Sequence, residues 1–237
     1  MEELNSSSGL LISDKYNYKL LLIKSIDMKL YYFDIYGRAE SIRFLLSHAK
    51  QPWEDVVING EKLQELKSQG VLEFGQVPMF VTSDGKNLCQ SWAILRFLGR
   101  TYGYYPEEPE TAWKVDSTID AVEDYLNSYF RFNFESNEEK KAVAKENWLK
   151  MLPTWVSAIE KRISANAGSK FIVGPTITIA DFALAAVGFN LLLNEANPHY
   201  TESYPFIKDH EILKTYANNL REELKEHLEK RPQPRPF

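Results

Sequence analysis

The change of hydrophobic period near residue 104 constrains the fold of this 237-residue chain more than any other feature. Before that point, from residue 28, short β-type runs alternate with short amphipathic helices. After it, no convincing strand run occurs, and apolar residues recur at helical spacing. The pattern predicts a small α/β domain over 28–104, a linker over 104–111 and an all-helical domain over 112–232.

The order of elements predicted for the α/β domain is βαβ followed by ββα. Its strands are enriched in β-branched and aromatic residues or flank an Asp84-Gly85 turn; they cover 28–33, 53–58, 78–82 and 86–89. One helix carries a stripe from Ile42 to Ala49, and a second covers 61–69 and stops at Gly70. We predict that Ser91 caps a third helix, which runs to Tyr102.

Three apolar patterns define the helical domain. Two amphipathic stripes are formed by Ile119, Val122, Leu126 and Tyr129, and by Leu152, Trp155, Ile159 and Ile163. Residues 179–193 are apolar on nearly every face, which is typical of a central buried helix. Thr178 and Asp181 have the spacing of a capping box, so we assign them to folding.

Charge and cysteine content narrow the classes of partner. The net charge of −5 argues against nucleic acid or an anionic membrane as partner. The single cysteine, Cys89, allows no intrachain disulfide and fits a reducing compartment, so we expect a cytoplasmic protein. Residues 1–27 contain no long apolar stretch and follow no clear period, which predicts an accessory or disordered extension.

Several short motifs resemble the cytosolic glutathione transferases, most closely the sigma class that includes the haematopoietic prostaglandin D synthases. The motifs lie in the family's order, at Tyr32-Phe33, 37–43, 76–78, 90–94 and 178–182. The resemblance implies a thioredoxin-like N-terminal domain, an all-α C-terminal domain and a homodimer. It also implies glutathione as co-substrate, conjugated to small hydrophobic electrophiles.

The catalytic residues implied by the resemblance are Tyr32 and Arg38. A free thiol has a pKa of about 8.5, so little thiolate exists at neutral pH. Lowering that pKa by two units requires about 2.7 kcal/mol, within reach of one charge-assisted hydrogen bond of about 1.5–3 kcal/mol. Tyr32 is expected to supply that bond and Arg38 to support it, whereas Tyr31 faces the other side of the strand.

The other glutathione ligands implied by the resemblance belong mainly to the α/β domain. Gln90 and Ser91 precede a helix whose N-terminus suits the γ-glutamyl carboxylate, and Val77, with a cis bond to Pro78, would pair like an added strand. The remaining ligands are Leu63, Lys67, Gly75, Gln76 and Asp124. The resemblance has Asp124 reaching the γ-glutamyl amine held by the neighbouring subunit.

The predicted electrophile pocket lies between the two domains. Its implied lining is Ile35, Tyr36, Tyr129, Phe130, Phe132 and the C-terminal tail. Three positions depart from the family: Leu63 replaces a tryptophan, Tyr36 an arginine and Gln76 a lysine, so each change removes a donor. The histidines show no ligand spacing, so we predict no metal site; a cation at Asp120, Glu123 and Asp124 stays open.

Three alternatives to a transferase have less support in the sequence. A glutathione-dependent prostaglandin-type isomerase is disfavoured by the missing pocket residues, and a non-catalytic carrier or structural relative by the retained Tyr32 and Arg38. A disulfide reductase would need a Cys-x-x-Cys motif near the first helix, and residues 34–38 contain no cysteine.

Overall fold

The computed structural model describes residues 28–166, 168–232 and 237; the predicted extension 1–27 lies outside the described residues. A mixed sheet in the order β2-β1-β3-β4 forms the centre of the first half. β1 is parallel to β2 and antiparallel to β3, and β3 is antiparallel to β4. The strands are β1 (Lys29–Tyr32), β2 (Glu54–Val57), β3 (Met79–Val81) and β4 (Asn87–Cys89).

Helices cover both faces of this sheet because strand residues alternate between them. α1 (Glu40–His48) and α3 (Ser91–Tyr102) pack with Leu30 and Phe80 on one face. On the other face, α2 (Gly60–Ser68) places Leu66 against Ile58 and Met79. The predicted βαβ-ββα order is confirmed.

The N-terminus of α3 differs from the prediction. Ser91 is the first helical residue, and Gln90 is the N-cap. The backbone of Gln90 has φ 72° and ψ 108°, and its side chain makes no capping hydrogen bond. A non-glycine residue at positive φ is uncommon, so the surrounding fold holds this conformation. It places Ser91 in the first turn of the helix.

The second half is all-helical, as predicted. Glu108 caps the first helix by accepting N–H bonds from Glu110 and Thr111 at 2.9 and 2.7 Å, so that helix starts inside the predicted linker. The helices are α4 (Pro109–Asn133), α5 (Glu138–Ala165), α6 (Ile179–Val187), α7 (Tyr200–Ser203), α8 (Glu211–Glu223) and α9 (Lys225–Lys230). None of the described helices is long and apolar enough to cross a bilayer.

α6 is the buried centre of the helical half, and a π-helical turn, Gly188–Leu192, continues it. The carboxylate of Asp181 holds its start by accepting bonds from the N–H groups of Thr178 and Ile172 at 2.8 and 2.9 Å. Tyr216 on α8 donates to the same carboxylate at 2.8 Å. Burial nevertheless raises the pKa of Asp181. These contacts support a folding role for this residue.

A buried carboxylate joins the two halves. Glu40, at the start of α1, lies within 2.9–3.2 Å of His227 Nε2, Arg231 Nη1 and Arg43 Nη1. Burial alone would raise the pKa of Glu40, but His227, Arg43 and Arg231 outweigh it and lower the pKa to about 2. We call Glu40, Arg43, His227 and Arg231 the joint cluster. It fixes α9 and Arg231 against α1.

Candidate active site

The phenol of Tyr32 lies at the end of β1 and is 6% exposed. Its Oη accepts the backbone N–H of Arg38 at 3.1 Å, so the hydroxyl proton remains available for a different acceptor. Burial raises the pKa of Tyr32, against the opposing effects of the Arg38 amide and of the charges of Arg38 and Arg43. The phenol therefore stays protonated at neutral pH and can act as a donor.

Glycine is required at position 37 for two reasons. The turn Gly37–Ala39 starts with φ at +45°, a conformation that favours glycine. A Cβ at this position would also lie 2.7 Å from Tyr32 Oη. The close approach of the turn brings the Arg38 N–H onto the phenol.

Arg43 holds the loop between Tyr32 and this turn. Its Nη1 donates to the carbonyl oxygens of Ile35 and Tyr36, each at 3.2 Å. Its Nε donates to Asp55 on β2 at 2.8 Å. Arg43 occurs in the family-like motif at 37–43, but its role was missed because a helical arginine is usually solvated. Arg43 lies in the part of α1, residues 40–46, that is buried throughout.

The guanidinium of Arg38 points away from the phenol and towards α4. It donates to Glu123 and, at 2.9 Å, to Asn127 Oδ1. Trp92 Nε1 on α3 donates to the same Glu123 oxygen at 2.7 Å. Arg38 thus contacts Tyr32 through its backbone amide, while its side chain connects the turn Gly37–Ala39 to the helical half.

The acidic face of α4 is largely neutralised by these pairs. Glu123 is bound to Arg38, and Arg96 pairs with Asp116 and Asp120 at 2.7 and 3.3 Å. Within the part of the chain that the structure describes, no group of three or more His, Cys, Asp or Glu is placed to hold a metal ion. Asp124 is exposed on the same helix.

The other predicted glutathione ligands form two groups. Lys67 is exposed, and its Cε is 3.7 Å from the position of a Cβ built on Gly75, so the two residues are neighbours. Gln90 and Ser91 stand together at the N-terminus of α3. Gln76 is exposed, and Val77 precedes Pro78 through a cis peptide bond.

The side chain of Leu63 makes apolar packing contacts and has no hydrogen-bonding group. It is half-buried and packs against the cluster of Ile58, Leu66, Leu72 and Met79. The donor that a tryptophan would supply is therefore missing at this position.

The predicted electrophile pocket needs correction at three positions, Tyr36, Tyr129 and Phe132, all of which are buried. Tyr129 and Phe132 are 1% and 0% exposed, and both rings pack against Trp148 and His199 in the helical core. Tyr129 belongs to the apolar stripe that α4 turns towards α5, and Phe132 lies three residues further on, on the same side. Neither residue lines an open surface.

Tyr36 is 2% exposed, and its hydroxyl donates to the carbonyl of Pro232 at 2.7 Å, so it does not line an open surface either. Ile35 and Phe130 are half-buried. The Phe130 ring is 6.4 Å from the ring of Phe237, whose carbonyl accepts the Tyr36 N–H at 2.9 Å. Phe237 therefore packs beside Phe130 and Tyr36, and its part in an electrophile pocket stays a prediction.

Family models match both halves of the chain. The model described as the N-terminal domain of glutathione S-transferase matches residues 28–100, and the model described as the C-terminal domain matches residues 123–232.

Individual proteins match as well. Glutathione S-transferase P from Homo sapiens is 34% identical over 178 residues, which cover 74% of this chain and 81% of the relative. Glutathione S-transferase P 1 from Bufo bufo is 31% identical, covering 68% and 75%.

Solved structures share the fold. The glutathione S-transferase from Ascaris lumbricoides superposes with a TM-score of 0.73 at 30% identity, covering 89% of this chain and 99% of the other. Prostaglandin synthase D of Nilaparvata lugens superposes at 0.74 with 28% identity, covering 87% and 99%. With both domain models matched in order and relatives above 30% identity over most of the chain, this protein belongs to the glutathione S-transferase family and is a transferase with glutathione as co-substrate.

Proposed function

We propose that Tyr32 activates glutathione in this transferase and that the acceptors are small hydrophobic electrophiles. The observation that carries the proposal is the bond from the Arg38 N–H to Tyr32 Oη, which occupies an acceptor site of the phenol and leaves its proton to donate. Glutathione supplies the thiol nucleophile. A donor aimed at the sulfur lowers the thiol pKa, and a charge-assisted bond of about 1.5–3 kcal/mol corresponds to one to two pKa units.

The chemistry of the surrounding residues suits a tripeptide with two carboxylates. The N-terminus of α3, a helix of 12 residues, offers free N–H groups and the Ser91 hydroxyl to one carboxylate. Lys67 beside Gly75 offers a cation to the other. The backbone of Val77, just before β3, suits strand-like pairing with the peptide between them. Gln76 and Gln90 are exposed and can add hydrogen bonds.

An apolar wall next to the catalytic loop supports hydrophobic electrophiles. Phe130 stacks on Phe134 with ring centroids 5.5 Å apart, and the Phe237 ring meets Phe134 edge-on at 5.8 Å. Ile35 belongs to the loop that Arg43 holds. These side chains carry no titratable group, so the wall favours an uncharged, apolar acceptor.

The proposal includes a homodimer. Large aromatic residues that are exposed in the single chain include Phe74 before β3, Phe97 on α3 and Trp113 on α4. A second copy covering them would bury apolar surface. The same arrangement would bring Asp124 to the glutathione amine of the partner.

The proposal also includes cytoplasmic detoxification. Cys89 is the sole cysteine and is a free thiol in the structure, which fits a reducing compartment. Conjugation with the charged tripeptide makes a hydrophobic electrophile water-soluble.

The test is retention on immobilised glutathione, elution with free glutathione, and conjugation of chlorodinitrobenzene by the eluted protein. We expect all three. Retention without conjugation would favour the carrier alternative.

The structural similarity to a prostaglandin synthase D gives a reason to test the isomerase alternative as well. Conversion of prostaglandin H₂ that depends on glutathione, without conjugation of chlorodinitrobenzene, would favour that alternative over the proposal.

A further inference from the structure

Trp92 connects parts of the molecule that are far apart in the sequence. It is the second residue of α3, directly after Ser91, and its half-buried ring packs against the main core. Its indole Nε1 donates to Glu123 Oε2 on α4 at 2.7 Å. The same oxygen accepts a bond from the guanidinium of Arg38. One carboxylate oxygen therefore links the start of α3, the turn Gly37–Ala39 and α4.

The carboxylate of Glu123 is held at both of its oxygens. Oε1 accepts the side-chain amide of Asn127 at 3.1 Å, and Asn127 Oδ1 in turn accepts Arg38 Nη2 at 2.9 Å. Arg38, Glu123 and Asn127 thus form a closed ring of hydrogen bonds, which we call the anchor ring. Bonds that involve charged groups are shorter and stronger than neutral ones, so the anchor ring restricts the direction of the Arg38 side chain.

The anchor ring affects the Tyr32 phenol because Arg38 contacts both. The guanidinium of Arg38 lies in the ring, and its backbone N–H donates to Tyr32 Oη at 3.1 Å. A shift of the side chain is passed to the amide within a single residue. Displacement of a reacting group by about 1 Å can lower a rate by about 10²-fold, so the position of this amide matters for a phenol that must meet a sulfur atom.

The bond from Trp92 adds α3 to this arrangement. Glu123 and Asn127 are one turn apart on α4, so their bonds to Arg38 fix the turn to the helical half. The N-terminus of α3 is the proposed site for a glutathione carboxylate. Because that carboxylate and the thiol belong to one molecule, a fixed distance between α3 and Tyr32 helps to place the sulfur against the phenol.

We propose that Trp92 is a positioning residue of the transferase: its indole N–H holds Glu123, which holds the turn that presents the Arg38 amide to Tyr32. The inference rests on the proposed function, because it needs Tyr32 as the donor to the glutathione sulfur. Trp92 acts through Glu123 and Arg38 and does not donate to the thiol itself. Losing its N–H loosens the alignment of the phenol and leaves the binding groups of α3 in place.

The test variant is Trp92→Phe, which keeps an aromatic ring on α3 and removes the N–H. We expect the pKa of the bound glutathione thiol to rise, so that about three- to tenfold less thiolate is present at a pH below the wild-type pKa. The ultraviolet absorbance of the bound thiolate, followed against pH, measures this. The kcat/KM for chlorodinitrobenzene should fall by the same factor at low pH and approach the wild-type value at high pH. Glutathione affinity, measured by calorimetry, should change by less than about twofold.

Trp53→Phe is the matched control. Trp53 is also half-buried and packs against the main core, but its Nε1 is buried without a hydrogen-bond partner in the described part of the chain. The same substitution there removes an N–H that holds no other residue, so we expect a wild-type pH profile. Urea unfolding of both variants identifies a general loss of stability, which would lower kcat/KM at every pH.

A double-mutant cycle with Glu123→Leu tests whether Trp92 acts through Glu123. The substituted side chain accepts no hydrogen bond, so the Trp92 N–H then has no carboxylate to hold. We expect Glu123→Leu to raise the thiol pKa, and Trp92→Phe to change kcat/KM by less than about twofold in that background. An equal effect of Trp92→Phe in both backgrounds would overturn the proposal.

Tyr32→Phe, measured alongside, distinguishes this inference from the proposed function. If Tyr32→Phe raises the thiol pKa while Trp92→Phe leaves it unchanged or lowers it, the inference is wrong and the proposed function stands. An equal rise in Trp92→Phe and Trp53→Phe would also overturn the inference. If Tyr32→Phe leaves the thiol pKa unchanged, the proposed function fails and the inference fails with it.

Discussion

At the scale of single residues, Tyr32 and Tyr31 provide a natural comparison because they are adjacent on β1 and face opposite sides. Tyr32 packs in the core under α1 and α3, and Tyr31 packs with the cluster on the α2 side. Only Tyr32 accepts the Arg38 N–H. Comparing a Phe substitution at each position distinguishes the effect of losing the Tyr32 hydroxyl from the effect of losing a tyrosine hydroxyl elsewhere on the same strand.

Tyr32→Phe should leave glutathione affinity nearly unchanged and raise the pKa of the bound thiol. Losing ~2–3 kcal/mol of thiolate stabilisation slows turnover by roughly 30- to 150-fold near neutral pH. The deficit should shrink as pH rises past about 8.5, because the thiol then ionises unaided. Turnover measured against pH checks this, with Tyr31→Phe as control; a wild-type rate near neutral pH would remove Tyr32 from the mechanism.

Gly37→Ala should disturb the phenol without removing it. The added Cβ would lie 2.7 Å from Tyr32 Oη, so the ring must shift. We expect turnover to fall at least tenfold, since misplacement by about 1 Å can cost 10²-fold. Gly85→Ala is the control: its φ is +81° and its Cβ meets nothing within 4 Å.

Both glycine variants carry a backbone penalty of about 1–2 kcal/mol. In urea unfolding, Gly37→Ala should lose more stability than Gly85→Ala, because its Cβ also clashes with the buried Tyr32 ring. The two variants should also differ in steady-state kinetics. Equal turnover in the two would show that contact with the phenol has no influence.

At the scale of secondary-structure elements, the strands and helices were predictable because each buries one face. A buried face imposes a period of 2 or 3.6, which is visible in the sequence. The predicted helix over 61–69 is α2 (Gly60–Ser68), and the predicted strand over 53–58 is β2 (Glu54–Val57). The π-helical turn after α6 was not predictable, because a segment that is apolar on every face shows no period to break.

The resemblance named candidate site residues, but no sequence pattern indicated their contacts. The resemblance pointed to Arg38, but its side-chain partners lie 85 and 89 residues away, so no local pattern shows where the guanidinium points. The joint cluster was missed for the same reason: Glu40 and His227 are 187 residues apart. Tyr129 was assigned to the pocket although it already belonged to the buried stripe of α4.

The contact between α1 and α9 makes the free energy of unfolding depend on pH. In the folded protein the Glu40 pKa is lowered from 4.5 to about 2, so this carboxylate stabilises the fold above about pH 4.5. That contribution, roughly 3 kcal/mol, is lost as pH falls towards 2 because the unfolded chain takes up the proton more readily.

Glu40→Gln should be less stable at neutral pH by a similar amount and should lose less stability on acidification. The reason is that Arg43, His227 and Arg231 are left without their carboxylate. Urea unfolding at a series of pH values and fixed protein concentration checks this. Glu226→Gln is the control, since Glu226 pairs with Lys50 and Lys230 in solvent; parallel curves for Glu40→Gln and wild type would contradict the prediction.

At the scale of the whole molecule, the proposed homodimer would give the exposed Asp124 a partner. Asp124→Asn should raise the glutathione dissociation constant by about tenfold, because a desolvated charge pair contributes about 1.5–3 kcal/mol. Asp120→Asn is the matched variant, since Asp120 is 75% exposed and pairs with Arg96.

Calorimetry at constant salt and light scattering measure this prediction. The Asp124→Asn protein should remain dimeric. Equal affinity in Asp124→Asn and wild type would exclude the contact across the subunits, and a monomeric wild type would remove its premise.

The joint cluster also sets an order of events during synthesis. The glutathione half leaves the ribosome first, yet Glu40 then has only Arg43 as a partner, and Arg231 follows 191 residues later. Until α9 arrives, the nascent first half would bury the Glu40 carboxylate without the hydrogen bonds from His227 and Arg231. We expect chains that end before α9 to be cleaved by proteases more readily than the full chain. The first half would then reach its final packing around α1 only after α9 has been made.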